Sequence, residues 1–419
     1  MPLRLSVLDQ SPVPSGSTPA DALQNSISLA RHVDALGYTR LWYSEHHAMA
    51  LLACTAPEVL LARIGVETQR IRIGSGGIML PHYSPYKVAE VFNTLATLYP
   101  GRIDLGVGRA PGGGQLESHA LRRVRTGISP DDFPNQLAEL LAFLHPEHFP
   151  HNHPFANLLV SPAPPANLAT EPAPLLTSNL GTSAKTSEPS TLNPGPSPEP
   201  GAPTVTPPSS RVSSHDANTT TPPPEPRALS PEPSPSSAPD VWLLGSSMWS
   251  STTAAAEGLP YSYAHFFSPQ LTHAAIEHYR ANFKPSDYRR APEASIALGV
   301  ICADTQPEAD RLHQTVKLLQ RRIRMNDRRP LETPEEAARY LAALPQPPNP
   351  LIAFTAGPLD EPESEFPRYI VGTPETVRTR LLAIAHELEL NEIIINTITH
   401  DHQARLHSYS LLAKAFELS

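Results

Sequence analysis

Short apolar runs rich in β-branched residues alternate with longer stretches of helical period along most of the chain. The first run, Leu3–Leu8, predicts a strand, and the period after it predicts a helix over Asp21–Leu36 ended by Gly37. A second strand, Arg40–Ser44, precedes a helix that carries Pro57 in its first turn and runs to Thr68. Strand Ile71–Leu80 leads to helix Tyr86–Leu98, which Pro100-Gly101 stops; strand Arg102–Gly108 leads through a glycine-rich loop to helix Asp131–Leu144. The alternation resumes with strand Val241–Leu244 and helix Ser250–Glu257, then Tyr261–Phe267 with Gln270–Phe283. Strand Ser295–Ala303 is followed by helix Pro307–Arg324 and a further helix, Pro334–Leu344. A helix over Thr373–Leu388, an eighth strand at Glu392–Thr397 and a helix over Asp401–Phe416 complete the pattern. Strands alternating with helices of this length pair in parallel through right-handed crossovers. Eight such units favour an α/β fold closed into a (β/α)8 TIM barrel. The alternative is an open doubly wound sheet, but no glycine-rich dinucleotide turn follows the first strand.

Composition changes this picture in one place. The chain of 419 residues holds 50 prolines, about half of them between Pro146 and Pro239 and mixed there with Ser, Thr and Ala. Without that stretch about 325 residues remain, the size of one α/β barrel. From about Ala166 to Ala238 there is no hydrophobic period and too little apolar surface to offset the entropy of ordering, so a disordered low-complexity insertion is expected. The barrel is then one structural domain in two pieces, residues 1–165 with the first four strands and residues 239–419 with the rest. An insertion between the fourth helix and the fifth strand leaves from the N-terminal rim, opposite the rim where barrel active sites lie, and is expected to be catalytically silent. The net charge of −9 and the lack of dense Lys/Arg runs argue against nucleic acid as a partner. With no apolar run near ~20 residues, no signal-like N-terminus and two cysteines, the expectation is a soluble cytoplasmic protein that does not engage membranes.

In a barrel, chemistry is sought where strands end. The second strand ends in Ser44-Glu45-His46-His47. Adjacent strand residues point to opposite sides, so this trio converges poorly on a metal, and no metal site is expected; an acid–base role for one histidine remains open beside a structural one. The third strand contains Gly74-Ser75-Gly76-Gly77, which points to a bulge, an unusual peptide or the close approach of a flat ligand. Arg109, flanked by small residues after the fourth strand, suits a phosphate through its planar fork, or a neighbouring carboxylate. Gly245-Ser246-Ser247-Met248-Trp249-Ser250 stands before a helix, where hydroxyls and free N–H groups form either an anion site or an ordinary N-cap. Together these features indicate a phosphate beside a planar ring, as in flavin mononucleotide (FMN).

On six motifs the sequence resembles the bacterial-luciferase-like flavin-dependent monooxygenases and oxidoreductases. They are Leu8–Pro12, Ser44–His47, Gly76–Pro85, Pro100–Gly112, Trp242–Ser247 and Val371–Glu375, in this order along the chain. The resemblance implies a cis peptide at Gly76-Gly77 beneath the flavin ring, and Arg109, Ser246 and Ser247, with Ser250 as a weaker member, around its phosphate. It further implies Glu45 as a carboxylate lining the site and His46 as the catalytic acid/base. Reduced FMN would be a cosubstrate delivered by a separate flavin reductase, O₂ the oxidant and a small organic molecule the substrate; homodimerisation is implied as well. Where luciferases proper carry a carboxylate before the phosphate-binding serine, this chain has Gly245, which implies a more open pocket floor and no light emission. The family's active-site lid corresponds to about Met325–Arg368, a stretch including Pro345-Gln346-Pro347-Pro348. Two other functions fit the same frame: hydride transfer with a deazaflavin coenzyme, which would turn over without oxygen, and non-catalytic flavin binding, which would consume none.

Overall fold

The computed structural model describes residues 2–121, 132–145, 148–149, 152–156, 158–162, 238–325, 327–343 and 366–419. The expected insertion, up to residue 237, lies outside them, as does the Pro345–Pro348 part of the expected lid.

The strands are Arg4–Asp9 (β1), Arg40–Tyr43 (β2), Arg72–Met79 (β3), Ile103–Gly108 (β4), Asp240–Gly245 (β5), Tyr261–Ala264 (β6), Ala294–Cys302 (β7), Tyr369–Gly372 (β8) and Glu392–Asn396 (β9). Each of β1 to β6 pairs in parallel with the next, β6 pairs with β7, and β9 joins β7 back to β1, so eight parallel strands close a barrel. The ninth strand, β8, lies beside the second half of β7, where Val300 and Ile301 face Ile370 and Val371 in register. It is four residues long and reads in sequence as the lead-in to a helix, so periodicity does not reveal it.

Around the barrel run α1 (Pro19–Ala35), α2 (Pro57–Glu67), α3 (Pro85–Leu98), α4 (Gln115–Leu121), α5 (Phe133–Leu144), α6 (Met248–Glu257), α7 (Thr272–Ala281), α8 (Gln306–Arg324), α9 (Pro334–Ala343), α10 (Pro374–Glu387) and α11 (His402–Ala415). Caps set the boundaries. Thr18 and Asp21 form a reciprocal capping box ahead of Pro19, so α1 starts two residues before the apolar period does. At the other end Gly37 takes φ +82°, and a side chain there would run into the backbone of Ser419 at 2.7 Å. The short α4 was not legible because its Leu116 is exposed and it carries no apolar stripe.

Strand alternation divides the core in two. Residues such as Leu5, Val7, Leu41 and Ile73 point outward and pack under the helices. Leu8, Trp42, Trp242, Ala297 and Ile394 point inward and fill the barrel centre. Two residues earlier on the same inward faces lies a charged layer. Arg40 donates to Asp104 at 3.0 Å and to Glu392 at 2.7 Å, and the Trp42 indole N–H donates to Asp104 at 2.9 Å. Burial opposes ionisation of Asp104, but Arg40 and Arg72 outweigh it and hold the carboxyl below the usual range. No helix among the described residues is long and apolar enough to cross a membrane.

Candidate functional site

The C-terminal ends of β3, β4, β5 and β6 surround a cavity of about 340 Å³. That is the rim at which barrel enzymes do their chemistry. Leu8, Trp42 and Ile394 rise into it from the barrel centre, and the bond to Asp104 fixes the Trp42 indole.

One wall is backbone. Gly76 and Gly77 line the cavity, and the peptide between them is cis. A Cβ on Gly76 would meet Leu8 at 2.7 Å and Trp42 at 2.9 Å, and one on Gly77 would meet the carbonyl oxygen of Gly106 at 2.7 Å. The pairing of β3 with β4 slips by one residue between Gly76 and Ile78. The glycine run therefore marks a place where neither strand has room for a side chain.

The same cavity has polar groups in its lining. Arg109 follows β4, its guanidinium 4.1 Å from the centre of the Trp249 ring, and among the described residues no carboxylate pairs with it. Ser247 is the N-cap of α6: its hydroxyl accepts from the Ser250 N–H at 3.5 Å, and the Ser250 hydroxyl accepts from the Ser247 N–H at 3.4 Å. Ser250 also bonds the Tyr261 hydroxyl at 2.9 Å and is buried, so it is committed to the helix start. The Ser246 hydroxyl has no such commitment among the described residues. Arg109, Ser246, Ser247 and Ser250 all line the cavity, together with Gly76 and Gly77. Gly245 lines the cavity as well. A Cβ there would collide with Ser250, because the helix begins at Met248 rather than at Ser250 and brings Ser250 back over the strand end.

Glu45 and His46 are not on the cavity wall. Glu45 is fully buried: Oε1 accepts from the Tyr83 hydroxyl at 2.6 Å and faces His47 Nε2 at 2.7 Å, while Oε2 accepts from the Met79 N–H at 2.9 Å. Its carboxylate thus reaches the site through Met79, a lining residue, rather than by lining the site itself. Burial and the hydrogen bond to Glu45 push the Tyr83 phenol well up. His46 lies just beyond β2, its Nδ1 3.1 Å from the Ser44 hydroxyl. Burial, and secondarily the neighbouring His47, depress its imidazole to about 4, so it is neutral at physiological pH. Among the described residues no three His, Cys, Asp or Glu side chains come together as a metal site.

Several lining residues were given no role from the sequence: Trp42, Met79, Trp249, Ser262, Phe266 and Phe267. For Trp42 and Ser262 a signal was present, since inward-facing positions recur at every second residue of β2 and β6. Phe266 and Phe267 were hidden because the strand expected to reach Phe267 ends at Ala264.

The chain matches the family model described as luciferase-like monooxygenase over residues 2–146 and 208–392. A luciferase-like monooxygenase of Escherichia coli K12 is 32% identical over 98% of this chain and 96% of its own length. An N-acetyl-S-alkylcysteine monooxygenase of Bacillus subtilis is 29% identical over 99% of this chain and 98% of its own. Among solved structures, apo-MsnO8 superposes with a TM-score of 0.73 at 37% identity, covering 100% of this chain and 99% of that one.

Proposed function

The chain belongs to the luciferase-like monooxygenase family, and from that premise we propose that it is an FMN-dependent monooxygenase acting on a small organic substrate. The observation that carries the reading is the lining of one cavity, which combines bare backbone and apolar side chains with serines, a helix N-terminus and a cation that no carboxylate among the described residues pairs. Those donors match a phosphate, and the glycine wall and indoles match a planar ring. Arg109, Ser246 and the start of α6 at Ser247 would hold the phosphate; Gly76, Gly77 and Trp42 would bound the ring.

The chemistry that reduced flavin would supply, once held by Arg109, Ser246 and the start of α6, is a pair of electrons for O₂, with one oxygen atom going to the substrate and the other to water. The protein's part is to orient and to keep water out. Leu8, Trp42, Phe266 and Ile394 give the ring side of the cavity an apolar boundary. Glu45 holds Met79 and Tyr83 in place at the end of β3. His46 is the acid/base of this reading although it stands just behind the cavity wall, and burial keeps its imidazole neutral at physiological pH, in the form that can accept a proton. A separate reductase would deliver the reduced flavin, and the barrel would work as a homodimer.

Oxygen uptake with photoreduced FMN tests the proposal, measured across aldehydes, ketones, thioethers and aromatics. Coupled uptake and oxygenated product are expected with one of these classes. Substrate turnover that proceeds without oxygen, with a deazaflavin donor in place of FMN, would overturn the reading.

A further inference from the structure

Arg109 is the cation of the candidate phosphate site, but an arginine side chain has four rotatable bonds and costs up to about 2 kcal/mol in lost rotamer freedom to hold in one place. Something must hold it. Among the described residues no carboxylate does so, and the neighbour the structure provides is the face of Trp249, 4.1 Å from the guanidinium carbon. Trp249 is the second residue of α6, and it is itself braced: the Phe133 ring of α5 meets it nearly edge-on, 5.5 Å away at 77°. The capping box of Ser247 and Ser250 fixes the turn from which the indole projects. Arg109 and Trp249 both line the cavity.

Resting on the reading of this cavity as an FMN site, we infer that Trp249 is a positioning residue for its phosphate end. Its indole carries the Arg109 guanidinium on its face and holds it beside the first turn of α6. A guanidinium resting on an aromatic face keeps the N–H groups in its own plane free for a ligand, whereas a carboxylate partner would occupy them. The stack thus fixes the arginine without spending its hydrogen bonds. Trp249 thereby favours ligands that end in a phosphate over the same ring system without one.

The test is the ratio of FMN to riboflavin affinity, read from quenching of flavin fluorescence on the full-length protein. The panel is the unaltered chain, Trp249→Phe, Trp249→Leu, Arg109→Ala and the double variant Trp249→Leu/Arg109→Ala. Trp249→Leu is expected to raise the Kd for FMN by about fivefold to thirtyfold and that for riboflavin by less than about twofold, while Trp249→Phe keeps most of the preference. In the Arg109→Ala background the Trp249→Leu change is expected to add little, because the indole acts through the arginine.

The two readings fail differently. Equal losses of FMN and riboflavin in Arg109→Ala would remove the phosphate site itself. A clear FMN-specific loss in Arg109→Ala with none in Trp249→Leu would overturn the positioning role alone. So would an undiminished effect of Trp249→Leu in the double variant, which would mean that the indole touches the ligand directly. Should Trp249→Leu fail to fold, Trp249→Phe and Trp249→Met supply the same comparison, since Met fills the space without an aromatic face; equal FMN preference in those two would also overturn it.

Discussion

At the scale of single residues, the two adjacent histidines separate into different environments. His47 is paired to the buried Glu45, which also anchors Met79 and Tyr83, whereas His46 contacts the Ser44 hydroxyl and sits in a site that keeps it neutral. His46→Ala is therefore expected to keep FMN affinity and lose about 10²–10⁴-fold in turnover, with electrons diverted to hydrogen peroxide. His47→Ala is expected to lower the melting temperature more than the chemistry. Product, peroxide and Kd measured on both variants decide it, and equal losses in turnover would end the assignment of His46. The depressed imidazole also carries a sign. Unfolded, His46 returns to its ordinary value of 6.5 and takes up protons that the fold excludes, so its contribution is complete above that pH. It is lost as pH falls from 6.5 towards 4, and amounts to on the order of 3 kcal/mol. His46→Gln should flatten the fall of stability over that window.

Among the elements, most of the strand–helix alternation was visible in the sequence, because the buried strands are rich in apolar residues and most of the helices show one apolar face. What escaped was local. Capping side chains moved the starts of α1 and α6 by two residues, and β8 was too short to show a period. For the site, the polar residues stood out as motifs, but most of its apolar boundary did not. Trp42 or Phe266 looks like any core residue until the register shows which face it occupies. The shift at α6 has a consequence. Because Ser250 lies over the end of β5, Gly245 is fixed by packing rather than by ligand size. Gly245→Ala is expected to destabilise by about 1–3 kcal/mol and to weaken FMN, since its Cβ displaces Ser250 and with it the helix start. Adding Ser250→Gly should recover much of the loss, read as melting temperature and Kd. Stability unchanged by Gly245→Ala would mean that the first turn of α6 yields freely.

For the molecule as a whole, the question is what the Pro/Ser/Thr-rich stretch contributes. The barrel closes with strands from both sides of it, β1 to β4 before and β5 to β9 after. The chain beyond α5 still packs before the stretch begins, with Phe149 and Val160 buried, and β5 resumes at Asp240. The stretch thus enters the barrel at the first residue of a parallel strand, whereas the cavity lies where β3 to β6 end. We propose that it is an insertion without a part in the site. Its composition offers little apolar surface to bury, and closing a loop costs only about 0.6 kcal/mol more for each doubling of length. Replacing 166–238 by a short Gly/Ser linker is expected to leave the melting temperature within a few degrees and the Kd for FMN within about twofold. A large loss of either, in a shortened chain that remains monodisperse, would show that the stretch supports the barrel. If instead only oxygen uptake fell, the stretch would have a part in turnover after all.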